Sequence, residues 1–271
     1  MVASPDLGER GVPPVHRRLA SAPVAAPLAE WTQSDDGVAL GLPGVGRAIV
    51  SRSGIIVEAP DQDGWAAVLA RLGAWALGQY LRAHGMRVVP GCCVVTGDVC
   101  LVIVGAPRSG TSSLGAALTL AGWRLVADAV VAIGADGVVH AHDLPMRVDA
   151  IPGRRIFAGI AHDSAGSGRQ RVILDVPRSE QGVKVTHLLT LVANRQLDRA
   201  YLQEPGTSAE RILNEVDLPG LVPGSRPVAP MAVRPDSRRL VRPSSSEIDV
   251  VRDHLPHRLA CLLIDDWLEP S

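Results

Sequence analysis

The chain has few aromatic residues and no apolar segment long enough to cross a membrane. Phenylalanine, tryptophan and tyrosine make up 3% of its 271 residues, although 46% of the residues are hydrophobic. The core must therefore be built from aliphatic side chains, which suits an α/β protein whose sheet is covered by helices. The longest aliphatic run, 99–104, is far shorter than the roughly 20 residues of a membrane span, and residues 1–28 lack the apolar run of a secretory signal. We expect a cytoplasmic protein without a membrane partner.

The chain also lacks an excess of either charge and a metal-binding cysteine pattern. Its 27 basic and 28 acidic residues leave a formal net charge of -1, which gives no reason to expect nucleic acid as a partner. The cysteines Cys92, Cys93, Cys100 and Cys261 include no pair at the spacing of a zinc knuckle. We interpret them as buried free thiols in a reducing compartment.

Lysine is almost absent. Lys184 is the only lysine, so 26 of the 27 basic residues are arginine. Any contact with a phosphate must therefore come from an arginine side chain or from backbone N–H groups.

Composition divides the chain into a predicted flexible arm, residues 1–28, and a single domain, residues 29–271. The arm is rich in proline, alanine and arginine and has no apolar period. In the domain, apolar residues at helical spacing predict a helix over 63–85. The aliphatic runs of 86–105 predict two strands around a "TGD" turn, and a second helix is expected over 111–121.

The second half of the domain predicts further strands and two helices. Aliphatic runs predict strands at 171–176 and 185–193. A capping box in "TSAE" predicts a short helix from Thr207, and a last helix is expected over 245–267. The six prolines of 219–243 predict an irregular loop.

The segment "GAPRSGTSS" has the spacing of a phosphate-binding loop. Gly105 and Gly110 stand at the separation of the G-x-x-x-x-G-K-[ST] pattern, after an aliphatic strand and before a helix, and Ser112 takes the metal-binding hydroxyl position. Such loops converge backbone N–H groups on phosphate oxygens at the positive end of a helix. Thr111 stands in the place of the lysine, so the cation must come from Arg108 or another arginine. The alternative is an ordinary glycine turn between a strand and a helix.

These motifs resemble the catalytic domain of the HPr kinase/phosphorylase family, whose P-loop fold is related to phosphoenolpyruvate carboxykinase. The loop "GAPRSGTSS" matches the family's glycine loop, and "GWRLVADA" (122–129) matches its "GHRLVADD" without an insertion between them. The segment "DGVVHAHDLPMRV" (136–148) is similar to a strand-turn-strand piece of kinase-like relatives. The resemblance implies an α/β fold with a P-loop core of mixed sheet flanked by helices, and a small N-terminal extension.

The resemblance also implies a site. It implies ATP and Mg²⁺ as cofactors, Asp128 as the catalytic base, and Ser112 and Asp128 as metal-binding residues. The nucleotide-binding residues that it implies are Gly105, Arg108, Ser109, Gly110, Thr111, Ser112 and Ser113.

Four functional positions of the family are changed. The family's histidine is Pro90, its loop lysine is Thr111, the acidic residue after the hydroxyl is Ser113, and its second aspartate is Ala129. Phosphoryl transfer depends on positioning and on neutralising phosphate charge, so these changes predict a very slow kinase or an inactive one.

The same loop also resembles the G-x-P-[RK]-S-G-T-[ST] loop of sulfotransferases. In that class the basic residue stands at the position of Arg108 and a threonine follows the glycine, as Thr111 does here. A later arginine-and-serine element that binds the 3′-phosphate of phosphoadenosine phosphosulfate has only a weak counterpart in "DVPRSEQG" (175–182). The "RLVAD" and "DLPMRV" segments favour the kinase-like fold.

Three histidines and a group of arginines are further candidate ligands. His140 and His142 alternate along a predicted strand, which would place both on one face, but two histidines without a third ligand are more often a solvated face. His187 begins an aliphatic strand and is interpreted as structural. The proline-rich loop carries four arginines: Arg234, Arg238, Arg239 and Arg242. They could bind an acidic peptide or a nucleotide phosphate, although we expect a solvated charged loop.

We therefore expect a kinase-like phosphotransferase that transfers phosphate from a nucleotide to a serine or hydroxyl of a peptide or small-molecule acceptor. The kinase-like relatives that act on peptides suggest natural-product biosynthesis. One alternative is a pseudokinase that serves as a binding scaffold, and another is a sulfotransferase. Both a monomer and a homo-oligomer are compatible with the sequence.

Overall fold

The computed structural model describes most of the proposed domain and one segment of the proposed arm. The described residues are 15–19, 31–35, 37–106, 109–149, 157, 160–163, 171–194, 200–204, 222–228, 231, 234–243, 256 and 258–268. The helices among them are α1 (Gln62–Ala83), α2 (Thr111–Leu120) and a C-terminal helix over 258–268 that ends in a π-helical turn, Ile264–Leu268. None of the helices in this part of the chain is both long and apolar enough to span a membrane.

The strands are β1 (Val15–Leu19), β2 (Trp31–Ser34), β3 (Gly37–Leu42), β4 (Gly46–Ser51), β5 (Gly54–Ala59), β6 (Arg87–Val89), β7 (Gly91–Thr96), β8 (Val99–Gly105), β9 (Arg124–Asp128), β10 (Val131–Ile133), β11 (Val138–Val139), β12 (Met146–Asp149), β13 (Ala161–Asp163), β14 (Arg171–Leu174), β15 (Val183–Lys184), β16 (His187–Asn194), β17 (Tyr201–Gln203) and β18 (Asp236–Pro243).

The N-terminal part of the fold is a five-stranded sheet that packs against α1. Its strand order is β1-β5-β4-β3-β2, in which β2 to β5 are antiparallel neighbours. Asp61 caps the amino end of α1, because its carboxylate accepts a hydrogen bond of 2.7 Å from the Gly64 N–H. The buried side chains Val68 and Leu72 of α1 pack with Val50 and Val57 of the sheet. The helix predicted over 63–85 is thereby confirmed.

Five residues of the predicted flexible arm are in a strand. Val15–Leu19 forms β1, which pairs in parallel with β5 along its full length. Backbone hydrogen bonds to an exposed sheet edge can order a segment that has no apolar period, because the pairing does not depend on side-chain pattern. The other residues of 1–28 lie outside the described part of the chain, and the division into arm and single domain otherwise stays a prediction.

A six-stranded mixed sheet carries the phosphate-loop motif. Its order is β17-β18-β16-β8-β7-β9. Strands β18, β16 and β8 are parallel neighbours, and β9 runs in the same direction because β7 is antiparallel to both β8 and β9. The carboxyl ends of these four strands therefore meet at one edge, where ligands of open α/β sheets commonly bind.

The two faces of this sheet are covered differently. Helix α2 lies on one face, where Leu114 and Leu118 pack with Leu101, Ile103 and Leu189. On the other face, Val102 and Leu188 pack with residues of a second, four-stranded sheet of order β15-β11-β10-β6. The structure thus has the mixed α/β character that the composition predicts.

The predicted irregular loop over 219–243 is wrong for its last eight residues. Asp236–Pro243 forms β18, which pairs with β16 through all eight of its residues and with β17 on its other side. The sequence "DSRRLVRP" does not predict a strand, because only Leu240 and Val241 in it are aliphatic. Both of these side chains are buried. Pairing with two neighbours satisfies the backbone of the strand despite its arginines and proline.

The remaining predicted elements have mixed outcomes. Strands predicted at 171–176 and 185–193 are confirmed as β14 and β16, and the helix predicted at 111–121 is α2. The helix predicted from Thr207 lies outside the described residues. Of the last predicted helix, the described residues 258–267 are helical.

Gly115 allows α2 to approach the sheet. A Cβ added at Gly115 would overlap the Cys92 Sγ atom of β7, whereas one added at Gly73 of α1 would only touch Leu144 Cδ2 at 3.5 Å. We predict that Gly115→Ala lowers the free energy of unfolding by about 1–3 kcal/mol despite the better helix propensity of alanine. Urea denaturation measures the difference, and the matched Gly73→Ala variant should be neutral or slightly stabilised. Equal stability of the Gly115→Ala variant and the parent would contradict this close packing.

Candidate functional site

The candidate site is built on the turn between β8 and α2. The chain leaves β8 at Gly105, and the Ser109 N–H donates a 2.9 Å hydrogen bond to the Ala106 carbonyl oxygen. A Cβ on Gly105 would overlap the Ser109 side chain and would lie 2.7 Å from the Leu191 carbonyl oxygen. Glycine is therefore required here by close packing of the backbone. Arg108 lies outside the described residues, so its proposed role as the replacement for the lysine stays a prediction.

Helix α2 directs its amino end at this turn. Gly110 precedes the helix with a φ of 99°, a left-handed conformation that favours glycine. The Leu114 N–H makes the first bond of the helix, to the Gly110 carbonyl oxygen at 2.9 Å. Within the described residues, no side chain caps this end and the first turn carries no acidic residue. The amide groups of 111–113 thus keep the positive end of the helix open for an anion.

Ser112 and Asp128 are in direct contact. The Ser112 hydroxyl donates a hydrogen bond of 2.8 Å to Asp128 Oδ1. Asp128 is the last residue of β9, and the chain turns directly after it because Ala129 has a φ of 67°. The Arg147 N–H lies 3.4 Å from the other carboxylate oxygen, Oδ2. The two residues predicted to bind a metal therefore lie together.

Burial dominates the electrostatics of Asp128. Its side chain is 1% exposed. Burial raises the pKa of this carboxyl above its usual range, while hydrogen bonds from Ser112 and from the Ala129 and Arg147 backbone, together with the charge of Arg178, act in the opposite direction. The group therefore has a greater tendency to hold a proton at neutral pH than an exposed aspartate has.

Cys92 is a neighbour of Asp128 that the sequence did not single out for the site. It is the cross-strand partner of Asp128 in the pairing of β7 with β9, and it is fully buried. Burial, and secondarily the charge and hydrogen bond of Asp128, raise the pKa of the Cys92 thiol well above its usual range. The thiol stays protonated and acts as a weak donor beside the carboxylate.

Arg178 is held by the protein's own backbone. Its two terminal nitrogens donate to the His142 carbonyl oxygen at 3.1 Å and to the Leu144 carbonyl oxygen at 2.9 Å. The Ser179 hydroxyl donates to the Gln181 carbonyl oxygen at 3.1 Å. In the "DVPRSEQG" segment, the arginine and serine considered for the 3′-phosphate of a sulfate donor are thus engaged in internal hydrogen bonds. Arg178 instead stabilises the turn that leads to Arg147.

The histidines do not form a common ligand set. Strand β11 ends at Val139, so His140 and His142 lie after it and do not alternate along a strand as predicted. His142 is buried, its Nε2 lies 2.7 Å from the Val130 carbonyl oxygen, and burial lowers its pKa. It is a core residue, contrary to the expectation of a solvated face. Across the described ranges, no three His, Cys, Asp or Glu side chains group as a metal site.

His187 has the structural role that was predicted. It begins β16, its Nδ1 lies 2.8 Å from the Thr186 hydroxyl, and its ring contacts the Trp267 ring edge-on with centroids 5.1 Å apart. The Trp267 Nε1–H donates to Asp236 Oδ2 at 2.6 Å. These contacts attach the C-terminal helix to the amino ends of β16 and β18, at the edge of the sheet opposite the loop.

Comparisons with known proteins find likenesses among solved structures. No protein-family model matches the chain, and no curated protein matches it. Among solved structures, the HPr(Ser) kinase/phosphatase from Coxiella burnetii matches at 14% sequence identity, over 67% of this chain and 91% of that chain, with a TM-score of 0.29. Two backbones at this TM-score superpose poorly, and the likeness assigns neither a site nor a function to this chain.

The raised pKa of Asp128 predicts a specific pH dependence of stability. The stability that the protonated carboxyl contributes is complete below its unfolded pKa and is lost as the pH rises through the higher folded pKa. Replacement by the neutral Asp128→Asn side chain removes this loss. We expect the stability of the variant relative to the parent to increase as the pH rises from about 4 to about 8.

Urea denaturation at a series of pH values measures this difference. Asp143→Asn is the matched control for the loss of one carboxylate, because the Asp143 side chain is exposed. A difference between Asp128→Asn and the parent that does not vary with pH would show that Asp128 ionises equally easily in the folded and unfolded chain.

Proposed function

We propose that the chain binds the polyphosphate of a nucleotide at the turn between β8 and α2 and acts as a kinase-like phosphotransferase toward a hydroxyl acceptor. The observation that carries this proposal is the 2.8 Å hydrogen bond from Ser112 to Asp128, which joins the amino end of α2 to the carboxyl end of β9. A hydroxyl and a carboxylate at one helix end are the donor set of a phosphate site that uses magnesium.

The residues fit Mg²⁺ held together with phosphates. Magnesium binds oxygen ligands. One or two protein carboxylates usually coordinate it, and phosphate oxygens and water molecules complete its coordination shell. The Ser112 hydroxyl oxygen and the Asp128 carboxylate would hold the ion, and when bound it would neutralise charge on the phosphate oxygens. The amides of 111–113 would orient those oxygens by hydrogen bonds and by the helix dipole.

Asp128 is the candidate proton acceptor. Its hydrogen bond to Ser112 places the carboxylate at the amino end of α2, where the phosphates are proposed to bind. In this proposal Asp128 takes the proton of the acceptor hydroxyl as it attacks the terminal phosphorus. The acceptor is proposed to be a serine or another hydroxyl of a peptide or small molecule, as in kinase-like relatives of peptide natural-product pathways.

Binding without transfer is a second candidate function. The position of the second family aspartate is Ala129. Among the described residues, Ser112 and Arg147 already engage the Asp128 carboxylate. A phosphoryl transfer site that neutralises less charge gives less transition-state stabilisation. The same geometry therefore also suits a scaffold that binds a nucleotide and a partner but transfers phosphate very slowly.

Thermal stabilisation tests the proposed ligand. A ligand that binds only the folded state at 100 times its Kd stabilises by about 2.7 kcal/mol, so Mg²⁺ with ATP should raise the Tm by on the order of 5 °C. The shift should shrink when EDTA removes the metal. Ser112→Ala should lose the metal-dependent part, whereas the control Ser112→Thr keeps a hydroxyl and should retain it.

The other outcomes are distinct. Stabilisation by phosphoadenosine phosphosulfate but not by ATP would favour a sulfotransferase. Stabilisation by ATP without release of ADP in the presence of serine-containing peptides would favour the binding scaffold. No shift with either nucleotide at millimolar concentration would contradict the proposed function.

A further inference from the structure

A row of side chains crosses the parallel strands at the level where β8 enters the turn. Val104, Thr190 and Arg239 are register partners on the adjacent strands β8, β16 and β18. Partners in register point to the same face of a sheet. This face is the one opposite α2, because Val104 packs with the buried Val102 and Leu188 there. On this face of the sheet, the apolar side chains of β8 are therefore followed by two polar side chains, Thr190 and Arg239.

Two polar atoms of this row are buried without partners. Thr190 Oγ1 and Arg239 Nε are closed off from solvent, and neither has a hydrogen-bond partner among the described residues. Both residues are half-buried as a whole, so a rotation of each side chain would bring its buried polar atom to a ligand. Buried side-chain donors and acceptors are normally satisfied, and exceptions often mark a missing ion or ligand.

The neighbouring arginines are engaged differently. Arg238 lies on the opposite face of the same strand and pairs with Glu204, and Arg178 donates to two backbone carbonyl oxygens. Within the described residues, Arg239 therefore differs from both by having a buried donor without an acceptor. An arginine in this state is suited to an oxyanion, which accepts from its planar fork.

The position of Arg239 suits a ligand that extends from the loop. Adjacent strands lie about 4.8 Å apart, so Thr190 is one spacing and Arg239 two spacings from β8, or roughly 10 Å. Asp128 lies on the other side of β8, beyond β7. The loop therefore stands between a carboxylate on one side and an arginine on the other.

We infer that Thr190 and Arg239 form an oxyanion subsite that takes a phosphate group of the ligand held by the loop. The inference rests on the proposed function and supplies the positive charge that is missing where Thr111 replaces a lysine. Arg239 donates to the phosphate oxygens and Thr190 orients the same group through its hydroxyl. The chemical class of the ligand is a polyphosphate, carried by a nucleotide or free in solution.

Calorimetric titration of the full chain with inorganic tripolyphosphate and with Mg²⁺ and ATP tests the subsite. Arg239→Met should weaken the binding of both ligands by roughly 10-fold or more, and Thr190→Val, which keeps the shape of the side chain, by a few-fold. Arg238→Met is the matched control and should bind as the parent does. An Arg239→Met variant with the parent's affinity for both ligands would overturn the subsite.

The stability of the free variants separates binding from a structural role. Because each replacement removes a buried polar atom without a partner, Arg239→Met and Thr190→Val should have a Tm equal to or above that of the parent without ligand. A lower Tm for both would mean that these side chains stabilise the fold, and would also overturn the inference.

The two ligands separate this inference from the function on which it rests. If the parent binds tripolyphosphate through Arg239 but does not bind ATP, the subsite stands and the nucleotide proposal fails. If the parent binds ATP and Arg239→Met binds it equally well, the nucleotide proposal stands and the subsite fails. A parent that binds neither ligand overturns both.

Discussion

The hydrogen bond between Ser112 and the buried carboxylate of Asp128 is the contact on which the geometry of the site depends. It connects the first turn of α2 to the end of β9, two strands away from β8. The helix can approach the sheet closely enough for this bond because Gly115 lies against Cys92, and the preceding turn can fold back because residue 105 is glycine. Two close approaches of the backbone thus place one hydroxyl on one carboxylate.

Charge is distributed unusually around this contact. Burial raises the pKa of the Asp128 carboxyl, and the first turn of α2 beside it carries no acidic residue. The arginines are placed at a distance: Arg178 is tied to the backbone on the side of Asp128, and Arg239 lies beyond β16 on the other side. A ligand with several negative groups would be held by helix amides at its centre and by arginine at its end.

Local patterns predicted the elements around the loop. Helical spacing of apolar residues gave α1, aliphatic runs gave β7, β8, β14 and β16, and glycine spacing gave the turn before α2. The resemblance to a known motif identifies Ser112 and Asp128 as metal-binding residues. The structure shows a hydrogen bond between them, and their metal-binding role stays a prediction. These features depend on residues close together in the chain, where propensity and pattern are informative.

Features that depend on distant pairing were missed. Strand β18 is rich in arginine and contains proline, so its sequence does not predict a strand. It forms by pairing with β16 and β17, which lie at least 30 residues earlier in the chain. Strand β1 depends in the same way on the edge of β5. The positions of Cys92 beside Asp128 and of Thr190 beside Arg239 are set by the register of neighbouring strands, and no local sequence pattern encodes that register.

A crystal structure of the chain with Mg²⁺ and a non-hydrolysable ATP analogue tests the central claim, that the turn before α2 holds a polyphosphate. The account predicts phosphate oxygens within hydrogen-bond distance of the amides of 111–113, a magnesium ion on Ser112 and Asp128, and the guanidinium of Arg239 on a phosphate. A nucleotide bound elsewhere, with the Ser112 to Asp128 hydrogen bond unchanged and no ligand at the amino end of α2, would contradict it.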